Sequence, residues 1–208
     1  MSRNLVLFRA FFAVALLFLA VTPALADAIP PLDDIKAEHS EGAADAPVTF
    51  IEYASLTCPH CAAFAHETQP DLKKEYVDTG KVKVVFRDYP LDQLALTAAM
   101  MARCAPKERY FGLIESIFGT QVTWIRAQDP KAALARLGKL AGMSQETIDA
   151  CMASKDIYDA VMATRGEGDK QKVDATPTFF INGKKMSGEL PIDELRKIID
   201  PMIPAAKK

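Results

Sequence analysis

The order in which strand-like and helix-like periodicities follow one another constrains this chain most. The run VTFIEYA (48–54), entered from Pro47, is β-branched and aromatic and short enough to be a buried strand. From Pro59 to Gly80 apolar residues recur at helical spacing, and Pro70 should kink or split that helix. KVKVVFRDYP (81–90) reads as a second strand, closed by Pro90. Strand, helix, strand in that order favours a parallel pair joined by a crossover.

Residues 92–165 change character. LALTAAMMARCA, YFGLIESIFG, DPKAALARLGKLAG and SQETIDACMASK are all helical in period, which predicts a helical block of about 70 residues. Asp129 before Pro130 is a helix start, an N-cap followed by proline at the first helical position. Ser144 and Thr147 make half a capping box, and Glu146 suits the positive end of the helix dipole. Strands then return. TPTFFING and KKMSG flank Asn182-Gly183, a strong hairpin signal because both turn residues need positive φ. LPIDELRKIIDPMI closes the chain as an amphipathic helix with Pro191 near its first turn. The fold class is therefore α/β: a β-α-β unit, a helical block, a β-hairpin and a last helix, without an internal repeat.

The first 26 of the 208 residues read as a removable address. Arg3 and Arg9 precede FFAVALLFLAV, an apolar core of about 11 residues, and Ala24 and Ala26 fit a signal-peptidase site ahead of Asp27. The alternative is an uncleaved anchor, but the run falls short of the roughly 20 residues a spanning helix needs. Residues 27–46 form a loosely held lead-in, proline- and acid-rich, with room for one edge strand. Cleavage would remove two arginines and move the net charge from −2 to −4. No basic run and no stripe of arginine with aromatics suggests nucleic acid.

Four cysteines follow the address: Cys58, Cys61, Cys104 and Cys151. An even number in an exported chain permits disulfides, yet four cysteines allow three pairings and spacing selects none. Cys58-Pro59-His60-Cys61 admits three readings. Structural zinc would want a second pair or two further histidines, and only His60 and His66 are near. A purely structural bridge would close almost no loop. The redox reading has a direct physical warrant. Cys58 would stand at a helix N-terminus, where free backbone N–H groups and the dipole favour a thiolate. Cys61, one turn on, is near enough to close a disulfide. Pro59 presets the turn without giving up a needed hydrogen bond, and a protonated His60 would add to thiolate stabilisation. His66 reads as an ordinary helix-face residue.

With FIEYASLT before CPHC, TPTFFINGK about 115 residues later and the helical block between, the chain resembles the DsbA-like thiol:disulfide oxidoreductases. The resemblance covers nearly all of residues 27–208. It implies a thioredoxin fold with a central mixed sheet, formed by 47–91 and 166–208, and an inserted helical subdomain at 92–165. It implies that Cys58 is the exposed nucleophile and Cys61 its buried partner. Pro177 would follow a cis peptide bond in a loop that faces the dithiol and, with Thr176, pairs with substrate backbone. Glu52 matches a buried acid beneath the second cysteine, for which a proton-relay role is expected. Some family oxidases carry valine where this chain has Thr176, and related isomerases and reductases use threonine, so direction of electron flow stays open on this residue.

Cys104 and Cys151 both fall on predicted helices of the insertion. A bridge between them would close a loop of about 48 residues, and a structural disulfide is expected over two buried free thiols. The expected function is a periplasmic, monomeric oxidase that introduces disulfides into unfolded or reduced exported proteins. It needs no cofactor or metal beyond the Cys58–Cys61 disulfide itself. The resemblance adds a membrane quinone-linked partner like DsbB. A reductase or isomerase of the same fold, or a non-catalytic peptide-binding or chaperone module, are the alternatives.

Overall fold

The computed structural model describes residues 29–204. The signal peptide expected at 1–26 lies outside the described residues. Among those described, no helix is long and apolar enough to cross a membrane.

The elements in chain order are α1 (Leu32–Lys36), β1 (His39–Glu41), β2 (Val48–Ala54), α2 (Pro59–Glu67), α3 (Gln69–Leu72) and β3 (Val82–Asp88). There follow α4 (Gln93–Ala102), α5 (Tyr110–Gly119), α6 (Gln121–Ile125), α7 (Pro130–Leu140), α8 (Gln145–Ala153) and α9 (Lys155–Lys170). The chain ends with β4 (Thr178–Ile181), β5 (Lys184–Ser187) and α10 (Ile192–Ile199). The five strands form one mixed sheet in the order β1-β3-β2-β4-β5. β2 and β3 are parallel, in register from Val48↔Val82 to Ala54↔Asp88, and the other pairs are antiparallel. This is the thioredoxin-type arrangement, with β4 and β5 supplied from beyond the helical block.

Local chemistry explains the turns. Asn182 and Gly183 carry φ of 45° and 85°, the left-handed pair that a two-residue hairpin demands. The Asn182 side chain also accepts from the Thr49 N–H at 2.8 Å, tying the hairpin to β2. Asp92, Asp129 and Ser144 cap α4, α7 and α8, each accepting from the backbone N–H three residues on. The long helix after the dithiol breaks at Thr68 (φ −117°), two residues before Pro70. Pro70 then sits in the first turn of α3, where its missing N–H costs nothing.

The two faces of the sheet are covered differently. Phe50, Phe179 and Phe64 of α2 pack with Leu195 and Ile199 of α10, both fully buried, in one cluster. Burying two such aliphatic side chains contributes about 1.5–3 kcal/mol each. A second cluster joins the helical block to the sheet: Ala54, Phe86, Cys58 and Cys61 share it with Met101, Ile117 and Trp124. The dithiol therefore sits on the seam between sheet and block. On the opposite face Tyr53, Tyr89, Val173 and Phe180 cluster under the end of α9. Gly168 makes that approach possible, since a Cβ there would lie 3.0 Å from both tyrosine rings. Residue 165, where the sequence changes character, falls inside α9.

The lead-in is held more firmly than its composition predicts. Ile35 is buried, and its carbonyl accepts from Arg103 Nη1 at 3.0 Å. Arg103 also donates to Asp88 at 2.6 Å and to Thr164 at 2.9 Å, so one buried guanidinium joins α1, β3 and α9.

Candidate active site

The strand-to-helix turn after β2 presents the dithiol. Cys58 is the N-cap of α2 with extended backbone (φ −76°, ψ 121°), and Pro59 follows at the first helical position. The Cys58 N–H donates to the Ser55 carbonyl at 3.0 Å, and its own carbonyl accepts from Ala62 at 3.2 Å. Cys58 Sγ is thereby set over the first free N–H groups of the helix. Both cysteines are free thiols.

The nucleophile is less open than the resemblance implies. Cys58 keeps only 6% of its surface and Cys61 none, because the loop before β4 lies against the sulfur. When protonated, Cys58 Sγ donates to the Thr176 carbonyl, 3.2 Å away, and the Thr176–Pro177 peptide bond is cis. The Thr176 hydroxyl is buried and pairs with no nitrogen or oxygen, which leaves it to the Cys58 sulfur.

The two thiols are driven apart in acidity. Cys58 is held down at about 5, chiefly by the hydrogen bond that the Cys61 thiol gives it, against the opposing cost of burial, with further help from Thr176 and the N–H groups of Cys61 and His60. Burial, before all else, pushes Cys61 far above the ordinary thiol range. The pair thus shares one proton at neutral pH, and it sits on Cys61.

Glu52 on β2 is 3% exposed, its Oε1 has no partner, and burial followed by the nearby Cys58 charge pushes it up to about 8. It points inward, the outcome a relay role requires. His60 differs from expectation in its partner: Nδ1 pairs with Glu189 at 2.7 Å. That contact, then the Cys58 charge, raises its pKa and favours the imidazolium beside the sulfur. Cys104 and Cys151 are joined, with Cα atoms 6.4 Å apart. Among the described residues no three His, Cys, Asp or Glu side chains are arranged to hold a metal ion.

Several residues at the site left no local signal in the sequence. Gln121, buried on α6, donates through one Nε2 to the carbonyls of Leu56 and Cys58, both at 3.0 Å. Thr57 donates to Asp92 at 2.7 Å, so the cap of α4 also braces the residue before Cys58. Glu189 belongs to the loop ahead of α10. A groove of about 190 Å³ runs beside it, floored by Phe64, Leu190 and Pro191 and rimmed by Glu67 and Glu189. A dithiol with one thiolate at neutral pH, a buried acid behind it and a cis-proline loop before it can exchange disulfides with an extended peptide.

Residues 34–201 match the family model described as Thioredoxin. The crystal structure of Wolbachia pipientis alpha-DsbA1 superposes with a TM-score of 0.74 and 32% identity, covering 79% of this chain and 90% of that one. A protein-disulfide isomerase from Novosphingobium aromaticivorans gives 0.68 and 26%, covering 79% and 97%. A Rickettsia felis protein named a protein-disulfide oxidoreductase is 32% identical over 163 residues, 77% of this chain, which spans 58% of that relative's length. With this sheet, this dithiol and these relatives, the chain belongs to the thioredoxin-fold family, within its DsbA-like thiol:disulfide oxidoreductases.

Proposed function

We propose that this protein is an exported oxidase that transfers the Cys58–Cys61 disulfide to reduced, unfolded proteins in the periplasm. A substrate thiolate attacks Cys58 Sγ, the Cys58–Cys61 bond breaks, and Cys61 leaves as a thiolate. Glu52 gives that thiolate its proton. A second substrate thiolate then attacks the substrate sulfur of the mixed disulfide, closing the substrate disulfide and releasing Cys58 as a thiolate. The backbone at Thr176 and Pro177 holds the substrate beside the sulfur. The segments 47–91 and 166–208 carry the chemistry, and 92–165 is an insertion that braces it. The protein acts as a monomer and needs no metal or other cofactor. A membrane quinone-linked partner like DsbB returns the pair to the disulfide.

One observation carries this reading. Cys58 caps the N-terminus of α2 and its sulfur takes a hydrogen bond from the Cys61 thiol, which holds it near 5, so it is a good leaving group and its reduced form is stabilised at neutral pH. The second reading is a reductase or isomerase kept reduced by another partner, since related isomerases and reductases also carry threonine where this chain has Thr176.

Equilibration of residues 27–208 against glutathione separates the two. The reference potentials are about −120 mV for DsbA and about −270 mV for thioredoxin, and the oxidase reading places this protein nearer the first. A potential near the thioredoxin value would reverse the direction.

A further inference from the structure

Among the described residues five buried side-chain polar atoms pair with no nitrogen or oxygen. One is the Thr176 hydroxyl at the dithiol. The other four, Glu52 Oε1, Asp88 Oδ1, Tyr110 Oη and His39 Nε2, collect behind it. Strand register shows how. Glu52, Phe86 and His39 form one row across β2, β3 and β1, so all three side chains lie on the same face. Asp88, two residues beyond Phe86, shares that face. Tyr110 of α5 closes over the row, stacked on His39 with centroids 3.6 Å apart and edge-on to Phe86 at 6.3 Å. Burial, before Asp88 and any ionised Glu52 and against Arg103, keeps its hydroxyl protonated.

His39 and Tyr110 also line a cavity of about 370 Å³, whose mouth carries the exposed residues Glu38 and Lys107. A liquid water takes about 30 Å³, so the space has room for several, and although most of its wall is apolar, His39, Ser40, Arg103 and Lys107 give it polar groups that can hold them. Buried unpaired polar atoms are costly, and water reaching them from this cavity relieves that cost. On the dithiol side the way is shut, since Cys61 has no exposed surface.

We propose that the proton exchanged between Glu52 and Cys61 travels to and from solvent by this rear route, through the Tyr110 hydroxyl, His39 and the water of the cavity behind them. The inference rests on the relay role of Glu52. On substrate oxidation Glu52 protonates the departing Cys61 thiolate and is reprotonated from the cavity. On reoxidation the Cys61 thiol gives its proton to Glu52, the thiolate attacks Cys58 Sγ of the mixed disulfide, the partner thiolate departs, and the proton leaves by the same path. Burial, first, holds His39 down at about 4, with Asp88 opposing and Arg103 and Lys107 reinforcing, so at pH 7 its ring is neutral, with one nitrogen to accept and one N–H to donate along a hydrogen-bonded chain. Phe86, which stands directly between Glu52 and His39 in the row, has no polar atom. The Tyr110 hydroxyl is therefore the bypass.

The test uses the reduced full-length mature protein, residues 27–208, and an aromatic disulfide reagent. The first thiol released reports attack by Cys58. The second, a first-order phase, reports deprotonation of Cys61 and closure. Glu52→Gln should slow closure relative to attack by about 10²-fold, the usual contribution of a positioned general base. If it does not, the relay reading fails. If it does, Tyr110→Phe, which removes one oxygen and keeps the ring stack, should slow closure several-fold and change its solvent isotope effect. His39→Ala should do the same and regain speed with added imidazole but not with pyrrole, which fills the hole without a basic nitrogen. Closure at the parental rate in both variants, or equal rescue by pyrrole, overturns the route while leaving Glu52 in place.

Discussion

Cys58 and Glu52 are displaced in opposite directions, and that makes stability depend on redox state. Glu52, raised to about 8 by burial and then by the Cys58 charge, keeps its proton in the fold when the unfolded chain has lost it. Its contribution is present in acid and declines as pH rises towards 8, by about 1.4 kcal/mol per pH unit. Cys58, lowered to about 5 chiefly by the Cys61 hydrogen bond, has the opposite sign. Its contribution is full above the thiol's unfolded pKa and declines as pH falls towards 5. Between pH 6.5 and 8 the two oppose each other in the reduced protein. In the oxidised protein Cys58 does not titrate and its opposing slope is gone, while the buried Glu52 and the raised His60 both lose their contributions as pH rises. Urea unfolding of the oxidised protein should lose stability across that window, and oxidised Glu52→Gln should lose measurably less. Parallel curves for the two oxidised proteins would contradict the placement of Glu52 as a buried, protonated acid.

At the scale of elements, the turn between β2 and α2 holds the dithiol, and it is fastened from outside by Gln121. That side chain is the donor for the Leu56 carbonyl, so Gln121→Leu leaves a buried acceptor unpaired, which costs about 1–3 kcal/mol. We expect the loss in chemical denaturation of the reduced protein, and Gln121→Glu, which cannot donate in its ionised form, should do no better. Unchanged stability in Gln121→Leu would show that the Leu56 carbonyl finds water instead. Gln121 also marks the limit of what the sequence discloses. The strands, the caps at Asp129 and Ser144 and the Asn182-Gly183 hairpin were legible because each depends on neighbours a few residues away. The dithiol was legible for the same reason, its warrant being one helix start. Gln121, Glu189 and Arg103 act on partners 63, 129 and 68 residues distant, and no local pattern distinguishes them from surface polar residues. The break at Thr68 rather than at Pro70 is a further case, because proline in a first turn starts a helix as readily as it ends one.

At the scale of the molecule, the helical block is not an appendage, since its core is continuous with the sheet beneath the dithiol. Two devices hold it there. The Arg103–Asp88 pair, with both side chains under 5% exposed, joins the end of α4 to β3. The adjacent Cys104 bonds to Cys151 on α8, closing a loop with a sequence separation of 47. The ion pair has to offset its own desolvation, so it specifies one arrangement more than it adds stability. The disulfide acts mainly on the unfolded chain. Chain entropy for a loop this long amounts to about 4 kcal/mol, an upper figure because unfolded chains keep some structure. Replacing both cysteines by alanine should therefore lower the urea midpoint by an amount approaching that figure. The Cys58 titration, followed by the ultraviolet absorbance of its thiolate, should move little, because none of its hydrogen-bond donors comes from the bridge. If the double variant were as stable as the parent, the block would be held by the Arg103–Asp88 pair and its apolar seam alone. If instead the Cys58 titration moved towards that of free cysteine, the bridge would be acting on the dithiol through α6 and Gln121, the one side chain of the insertion that touches the Cys58 backbone in the hydrogen bonds described.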